Sequence, residues 1–212
     1  MGGLVLAAGA GTRFGASPKQ LADLQGRPLL EWAVSAQCAV AELSRVVVVL
    51  GSHAAEIRAG VSFGRAETVV CAEWEAGQAW SLRCGLSALG AGAGVSNALG
   101  AGAGVSNALG GGDEVSKVIV TLGDAPLVTP EVIRLFLDAP PRTRAVYGGR
   151  PGHPVVLGPE EIAALASLRG DQGARGLLRG GPELEVGHLC SGRDVDTPED
   201  LEEVRDEARA VI

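Results

Sequence analysis

No apolar run in this 212-residue chain is long enough to cross a bilayer, although 46% of its residues are hydrophobic. The opening "GGLVLAAGA" lacks the basic start and cleavage-site layout of a signal peptide, so a cytoplasmic protein without membrane attachment is expected. Basic charge is scarce as well. Eighteen Lys and Arg residues face 25 Asp and Glu, for a net charge of −7, and only two of the eighteen are lysines. A non-specific nucleic-acid surface needs a basic face, so nucleic acid is excluded as a partner. An anionic ligand would be held by a few focused cations, backbone amides or a metal. The four cysteines (Cys38, Cys71, Cys84, Cys190) show no C-x-x-C spacing and lie among apolar or small residues. That predicts reduced, structural thiols without a catalytic or ligand role. His53 and His188 have no ligand spacing with each other or with a cysteine, which argues against zinc.

What is present is alternation. Residues 3–8 read as a buried first strand, and "RVVVVLG" (45–51) as a fully buried one of the parallel-sheet kind. "ETVVCA" (67–72) and "KVIVTLGD" (117–124) are the third and fourth strands. Between them fall "RPLLEWAVSAQCAVAEL", residues 53–61, "GQAWSLRCGLSAL" and "TPEVIRLFLD", the last begun by Thr129 and Pro130, all with helical spacing. This predicts an α/β fold, three layers α/β/α around a mostly parallel, Rossmann-like sheet, in one domain of 212 residues. Beyond residue 140 the pattern loosens: "RAVYGGRPGHPVVLG" reads as a hairpin or an insertion, followed by helices in "GPEEIAALASL" and "DTPEDLEEVRDEARAV". Residues 90–109 are "GAGAGVSNAL" written twice and lead into further glycines, so 90–112 forms a Gly/Ala-rich duplicated surface loop. It carries no ionisable side chain before Asp113. A passive duplication is expected, because loop-closure entropy grows slowly with length.

The chemistry concentrates in Leu6 to Leu21, "LAAGAGTRFGASPKQL". A dinucleotide loop would run G-x-G-x-x-G and meet a later carboxylate for the ribose. Here Gly9, Gly11 and Gly15 run G-x-G-x-x-x-G, and the second strand ends in Leu50, Gly51 and Ser52 without a carboxylate. A Walker loop needs Gly-Lys-Ser/Thr entering a helix, whereas Lys19 follows Pro18, which favours an extended approach. The small residues from Ala7 to Gly11 nevertheless let backbone N–H groups approach phosphate oxygens, and Arg13 and Lys19 add two charges. A nucleoside triphosphate fits such a loop.

The same stretch resembles the signature loop of nucleotidyltransferases with the nucleotide-diphospho-sugar transferase fold, L-A-A-G-x-G-x-R-x-G-x-P-K. Three later blocks narrow the resemblance to molybdenum cofactor cytidylyltransferases and their MobA-like relatives: "GDAPLVTPEVI" (123–133), "GHPVVLG" with "LRGDQGARGLLR", and "DVDTPEDL" (194–201). The blocks come in family order and cover nearly the whole chain apart from the duplicated loop.

The resemblance implies transfer of CMP from CTP to molybdopterin or the molybdenum cofactor. The product would be delivered to a molybdenum hydroxylase apoenzyme or its maturation chaperone. Leu6, Ala7, Ala8, Gly9, Gly11, Arg13, Lys19 and Ser81 would bind the nucleotide, with Arg13, Lys19 and Asp124 catalytic. Asp124 would hold Mg²⁺ (or Mn²⁺) with Asp196 or Asp194, Asp196 being preferred. The two lie two residues apart and face one side of an extended segment. Each has a rival structural role: Asp124 or Asp196 could cap the helix that follows it, although Thr129 is the better-placed cap for the first. His153, Pro154, Asp171, Gly173 and Arg175 would bind the acceptor. Arg83 could touch a phosphate or cover its helix, and Trp80 reads as core. The alternatives are a guanylyl- or sugar-phosphate nucleotidyltransferase of the same fold, or an NAD(P)H-dependent reductase relative.

Overall fold

A computed structural model describes residues 1–15, 17–91, 115–165 and 176–211. The duplicated loop from residue 92 onward lies outside the described residues, as do Asp171, Gly173 and Arg175.

The four expected strands form the parallel half of a seven-stranded sheet. They are β1 (Gly2–Ala7), β4 (Arg45–Leu50), β5 (Glu67–Val70) and β6 (Val118–Leu122). A small antiparallel pair, β2 (Asp23–Leu24) and β3 (Arg27–Pro28), lies apart from that sheet. β7 (Arg144–Tyr147) and β8 (Arg150–Leu157) make a hairpin, the first of the two readings of that stretch, and β9 (Glu183–Glu185), not foreseen, pairs with β7 at the edge. The order is β5-β4-β1-β6-β8-β7-β9, with β8 running against the other six.

Alternating side chains of the central strands feed opposite layers, as period-two geometry requires. Val5, Ala7, Val48 and Leu50 pack against α1 (Leu29–Cys38) and α2 (Ala54–Gly60). Leu4, Leu6, Val47 and Val49 pack against α3 (Gln78–Ala88) and α5 (Pro159–Leu165). α4 (Pro130–Arg134) and α6 (Pro198–Val211) join α1 over Ile119 and Val156. The three layers are those the alternation implied.

α1 stops earlier than its apolar spacing suggests. The Arg65 guanidinium takes the carbonyls of Cys38, Val40 and Leu43, at 2.9, 2.8 and 2.8 Å. A distant cation therefore satisfies backbone acceptors that a longer helix would have satisfied itself. Leu6 pairs with Leu122 and Ala7 with Leu50, so the carboxyl ends of β1, β4 and β6 share one level. The glycine loop leaves from one of these ends and Asp124 from another. Open parallel sheets place ligands at this edge.

Candidate active site

The glycine loop is wound around Lys19. Pro18 is extended, and Lys19 opens a single 3-10 turn to Leu21. Gly11 has φ +61°, and a Cβ there would lie 3.1 Å from the Lys19 Cγ, so the position tolerates only glycine without strain. The buried Gln20 amide donates to the carbonyls of Ala7 (3.2 Å) and Gly9 (3.0 Å). The loop's curvature is thus held from inside by the side chain next to the lysine.

The Lys19 ammonium joins three parts of the chain. It lies 2.5 Å from Asp124 Oδ2, 3.0 Å from Asp196 Oδ1 and 2.9 Å from the Val195 carbonyl. Arg13 reaches the other Asp196 oxygen at 2.7 Å. Burial alone would lower the Lys19 pKa, but the charges and hydrogen bonds of Asp124 and Asp196 outweigh it and raise the pKa above its ordinary value. The segment carrying Asp196 is tied in by the Val195 N–H, which donates to the Asp124 carbonyl at 2.8 Å.

Neither aspartate caps a helix. Thr129 caps α4 by accepting from the Val132 N–H. Before α6, Thr197 Oγ1 accepts from the Asp200 N–H, while the Asp200 carboxylate accepts from the Thr197 N–H at 2.8 Å. This reciprocal box leaves Asp196 to the cavity. The Asp200 carboxyl is held below its usual range by the Thr197 hydroxyl and the backbone N–H groups of Asp196 and Thr197, against a smaller opposing effect of desolvation.

The cavity here is about 250 Å³ and is lined by the loop, Lys19, Gln20, Gly123, Asp124 and Asp196. One detail bears on a divalent ion: Asp124 Oδ1 is buried and has no hydrogen-bond partner. An orphaned, acceptor-only oxygen beside a second carboxylate is the hard-oxygen donor set that Mg²⁺ or Mn²⁺ prefers. The residues therefore fit the metal that the fold implies.

A larger cleft of about 940 Å³ adjoins the first and shares Leu6, Arg13 and Asp196 with it. Its walls come from α3 (Gln78, Leu82), β6, the β7–β8 hairpin and residues 191–200. Among its arginines, Arg144 pairs with Glu183, and Arg193 with Glu203 and Glu207. Arg150 and Arg179 have no ion pair among the described residues. Tyr147 also lines the cleft, and its hydroxyl donates to the His153 carbonyl.

Of the residues singled out in the sequence, Leu6, Ala7, Gly9, Gly11, Arg13, Lys19, Asp124 and Asp196 meet around the smaller cavity. Ala8 is buried, its carbonyl accepting from the Ser52 N–H. Ser81 is buried in α3 and lines neither cavity, whereas Gln78 and Leu82, on the same helix, line the cleft. Asp194 lines only the larger cleft, as does His153, and Pro154 is buried behind a cis peptide bond. Arg83 is buried, donates to the Leu165 carbonyl at 2.8 Å and lies over the Trp80 ring.

Gln20, Gln78, Tyr147, Arg150 and Arg179 line these cavities without standing out in the sequence. Only Gln20, adjacent to Lys19 in a signature block, left a signal. The expectation of four reduced cysteines is also corrected: Cys71 and Cys84 form a disulfide, while Cys38 and Cys190 are free. Cys71 follows β5 and Cys84 lies in α3, two elements that the topology brings together but the spacing does not reveal.

The MobA-like NTP transferase domain family matches residues 3–187. The chain belongs to that family. It is 33% identical to the nicotine blue oxidoreductase of Paenarthrobacter nicotinovorans, over 94% of this chain and 93% of that protein. It is 34% identical to the 2-C-methyl-D-erythritol 4-phosphate cytidylyltransferase of Cereibacter sphaeroides, over 72% of this chain but 57% of that enzyme. Among solved structures, Rv0371c of Mycobacterium tuberculosis superposes with a TM-score of 0.74 at 27% identity, covering 96% of each chain. The same mycobacterial protein is known as a complex with manganese. The narrower resemblance to molybdenum cofactor cytidylyltransferases becomes, at this level, membership of the MobA-like family. No helix among the described residues is long and apolar enough to cross a membrane.

Proposed function

We propose that this chain transfers CMP from CTP to the phosphate of molybdopterin or the molybdenum cofactor, releasing pyrophosphate. One observation carries the reading: Asp124, whose Oδ1 is buried and unpartnered, lines a cavity together with Lys19, Arg13 and the glycine loop. That is a place for a divalent ion and a polyphosphate together. The likeness to a cytidylyltransferase supports CTP, as does Ala7-Ala8-Gly9, since guanylyl members of the family tend to Ala-Gly-Gly.

In this reaction an acceptor phosphate oxygen attacks the α-phosphorus, the bond from that phosphorus to the bridging oxygen breaks, and pyrophosphate leaves. No protein nucleophile is needed, because positioning and charge neutralisation do the work. Lys19 and Arg13 neutralise the triphosphate and the departing pyrophosphate. Asp124 and Asp196 would hold Mg²⁺ or Mn²⁺, which when bound supplies charge neutralisation at the phosphoryl oxygens. Gln78, on the cleft side of α3, offers its amide to the base more directly than Ser81 does. The acceptor would lie in the larger cleft, its anionic groups met by Arg150 and Arg179 beside His153. Asp171, Gly173 and Arg175 keep the acceptor role proposed for their block. The product would pass to a molybdenum hydroxylase or its chaperone.

A second reading, an NAD(P)H-dependent reductase, is favoured by the likeness to the nicotine blue oxidoreductase along nearly the whole chain. The end of β4 counts against it, because Leu50, Gly51 and Ser52 offer no carboxylate to a ribose. Thermal shift against CTP, GTP, ATP, UTP and NADPH, each with and without Mg²⁺, separates the two. CTP with Mg²⁺ should stabilise most. A larger shift with GTP would reassign the nucleotide, and stabilisation by NADPH alone would favour the reductase.

A further inference from the structure

The Cys71–Cys84 pair belongs to none of the chemistry above, yet it is mechanically joined to the glycine loop. Cys71 extends the β5 ladder, its N–H donating to the Leu50 carbonyl at 2.8 Å. Cys84 precedes Gly85, where α3 lies so close to the sheet that a Cβ would fall 2.3 Å from a Leu4 methyl. Between the cysteines the chain makes one 3-10 turn, Trp74–Ala76, before α3 begins at Gln78. Trp74 lies against Gly51, where a Cβ would meet the Trp74 Cγ at 2.6 Å on one side and the Ala8 carbonyl at 2.5 Å on the other. Next to it, the Ser52 N–H donates to the same carbonyl at 3.1 Å. Trp74, Gly51 and the first turn of the glycine loop are therefore contiguous, and Cys71, Cys84, Trp74 and Ala8 belong to one apolar cluster.

The two cysteines differ in burial. Cys71 is fully buried, while Cys84 is partly exposed, with the exposed Glu73 carboxylate within 4.8 Å of both.

We propose that Cys71 and Cys84 form a reversible thiol–disulfide site, exchanged by low-molecular-weight thiols and disulfides, that sets the rigidity of the wall beside the glycine loop. A thiolate attacks Cys84 Sγ, on the less buried of the two residues, and breaks the S–S bond. Cys71 leaves as a thiolate and takes a proton. A second thiol then attacks the mixed disulfide, giving a small-molecule disulfide and the Cys84 thiol. Oxidation is the reverse, with the small-molecule disulfide as electron acceptor. The Glu73 carboxylate disfavours a second negative charge beside it, so it slows exchange without preventing it.

With the bond formed, Trp74 to Gly77 is closed at both ends and Trp74 is held on Gly51. With the bond broken, that turn is fastened only by packing and opens more often. On the nucleotide reading of the site, the disulfide form is the better organised for CTP.

The test equilibrates the full chain in glutathione buffers from fully reduced to fully oxidised. Differential alkylation reads the state of the pair, with Cys38 and Cys190 as the free-thiol reference. Hydrogen exchange reads residues 74–77, and titration calorimetry the CTP affinity. The pair should convert reversibly, and reduction should speed exchange at residues 74–77 by about tenfold and weaken CTP by about fivefold. Cys84→Ser should behave as the reduced form in every buffer, and Glu73→Gln should convert faster. A bond that persists, or never forms, at every ratio would overturn the proposal. So would stoichiometric zinc on the two thiolates of the purified protein, or conversion that leaves exchange at residues 74–77 unchanged. If CTP binds neither form, the nucleotide reading fails while the alkylation and exchange data still decide the disulfide site.

Discussion

Lys19 Nζ and Asp124 Oδ2 lie 2.5 Å apart, although 105 residues separate them in sequence. The lysine is nearly buried, and its charge is matched by two carboxylates that a divalent ion would also use. On the proposed reading, lysine and metal would therefore compete for Asp124 and Asp196. A bound triphosphate, on the same nucleotide reading, would draw the ammonium toward phosphate and leave the carboxylates for the ion. Lys19→Met should tighten Mn²⁺ binding without nucleotide by on the order of tenfold and weaken CTP by at least about tenfold. Titration calorimetry reads both, and unchanged Mn²⁺ affinity would show that the lysine does not compete.

The same pair predicts an alkaline limb in stability. The Lys19 pKa is raised in the folded state above its ordinary 10.5. Its contribution is therefore fully present below that ordinary value and is lost as pH rises through the folded one. Tyr147 acts in the same direction, because burial, then the neighbouring Cys190, push its pKa well above the ordinary 10.0. Since Lys19→Met keeps Tyr147, the difference between wild type and variant in urea denaturation isolates the lysine. It should shrink as pH rises above the ordinary 10.5 of lysine. A constant difference across that range would contradict the pairing.

Gln20 tests the scaffold. Gln20→Ala removes two bonds that hold the Ala7 and Gly9 carbonyls, about 1–3 kcal/mol together, and a similar-sized loss of stability is expected. CTP affinity should fall with it, since the loop loses its internal support. Lost stability with unchanged nucleotide affinity would mean that the loop keeps its curvature without Gln20.

In the larger cleft, Arg150→Ala and Arg179→Ala should raise the KM for a molybdopterin acceptor by about tenfold each while leaving CTP affinity unchanged. Steady-state kinetics with varied acceptor checks this. A change confined to CTP would move these arginines to the nucleotide side.

The sequence made the parallel half of the sheet legible because β1, β4 and β6 are near-continuous apolar runs, suited to a sheet covered on both faces. The glycine loop, Lys19 and Asp124 were legible because small residues, cations and a carboxylate at a strand end have few other uses together. β9 was not, since its three residues include two glutamates and pair only at an edge. The early end of α1 was invisible for a similar reason: Arg65 supplies it from 22 to 27 residues away. Arg150 and Arg179 carry no local pattern, and only the tertiary fold places them on one cleft. The release of Asp196 from helix capping was hidden too, because "TPED" reads as an ordinary acidic first turn until Asp200 is seen to close the box.

The most direct test is CTP binding by titration calorimetry to wild type and Asp124→Asn, each with and without Mg²⁺. Asparagine keeps the shape but removes the charge on the orphaned oxygen. Wild type should bind CTP at least about tenfold more tightly with Mg²⁺, a gain of about 1.4 kcal/mol. Asp124→Asn should lose that gain yet keep metal-free binding, since Lys19 is then freer to meet phosphate. Where turnover is measured, it should fall by about a hundredfold or more. An Asp124→Asn protein that is folded by circular dichroism and still shows the full Mg²⁺-dependent gain would contradict a metal site at Asp124.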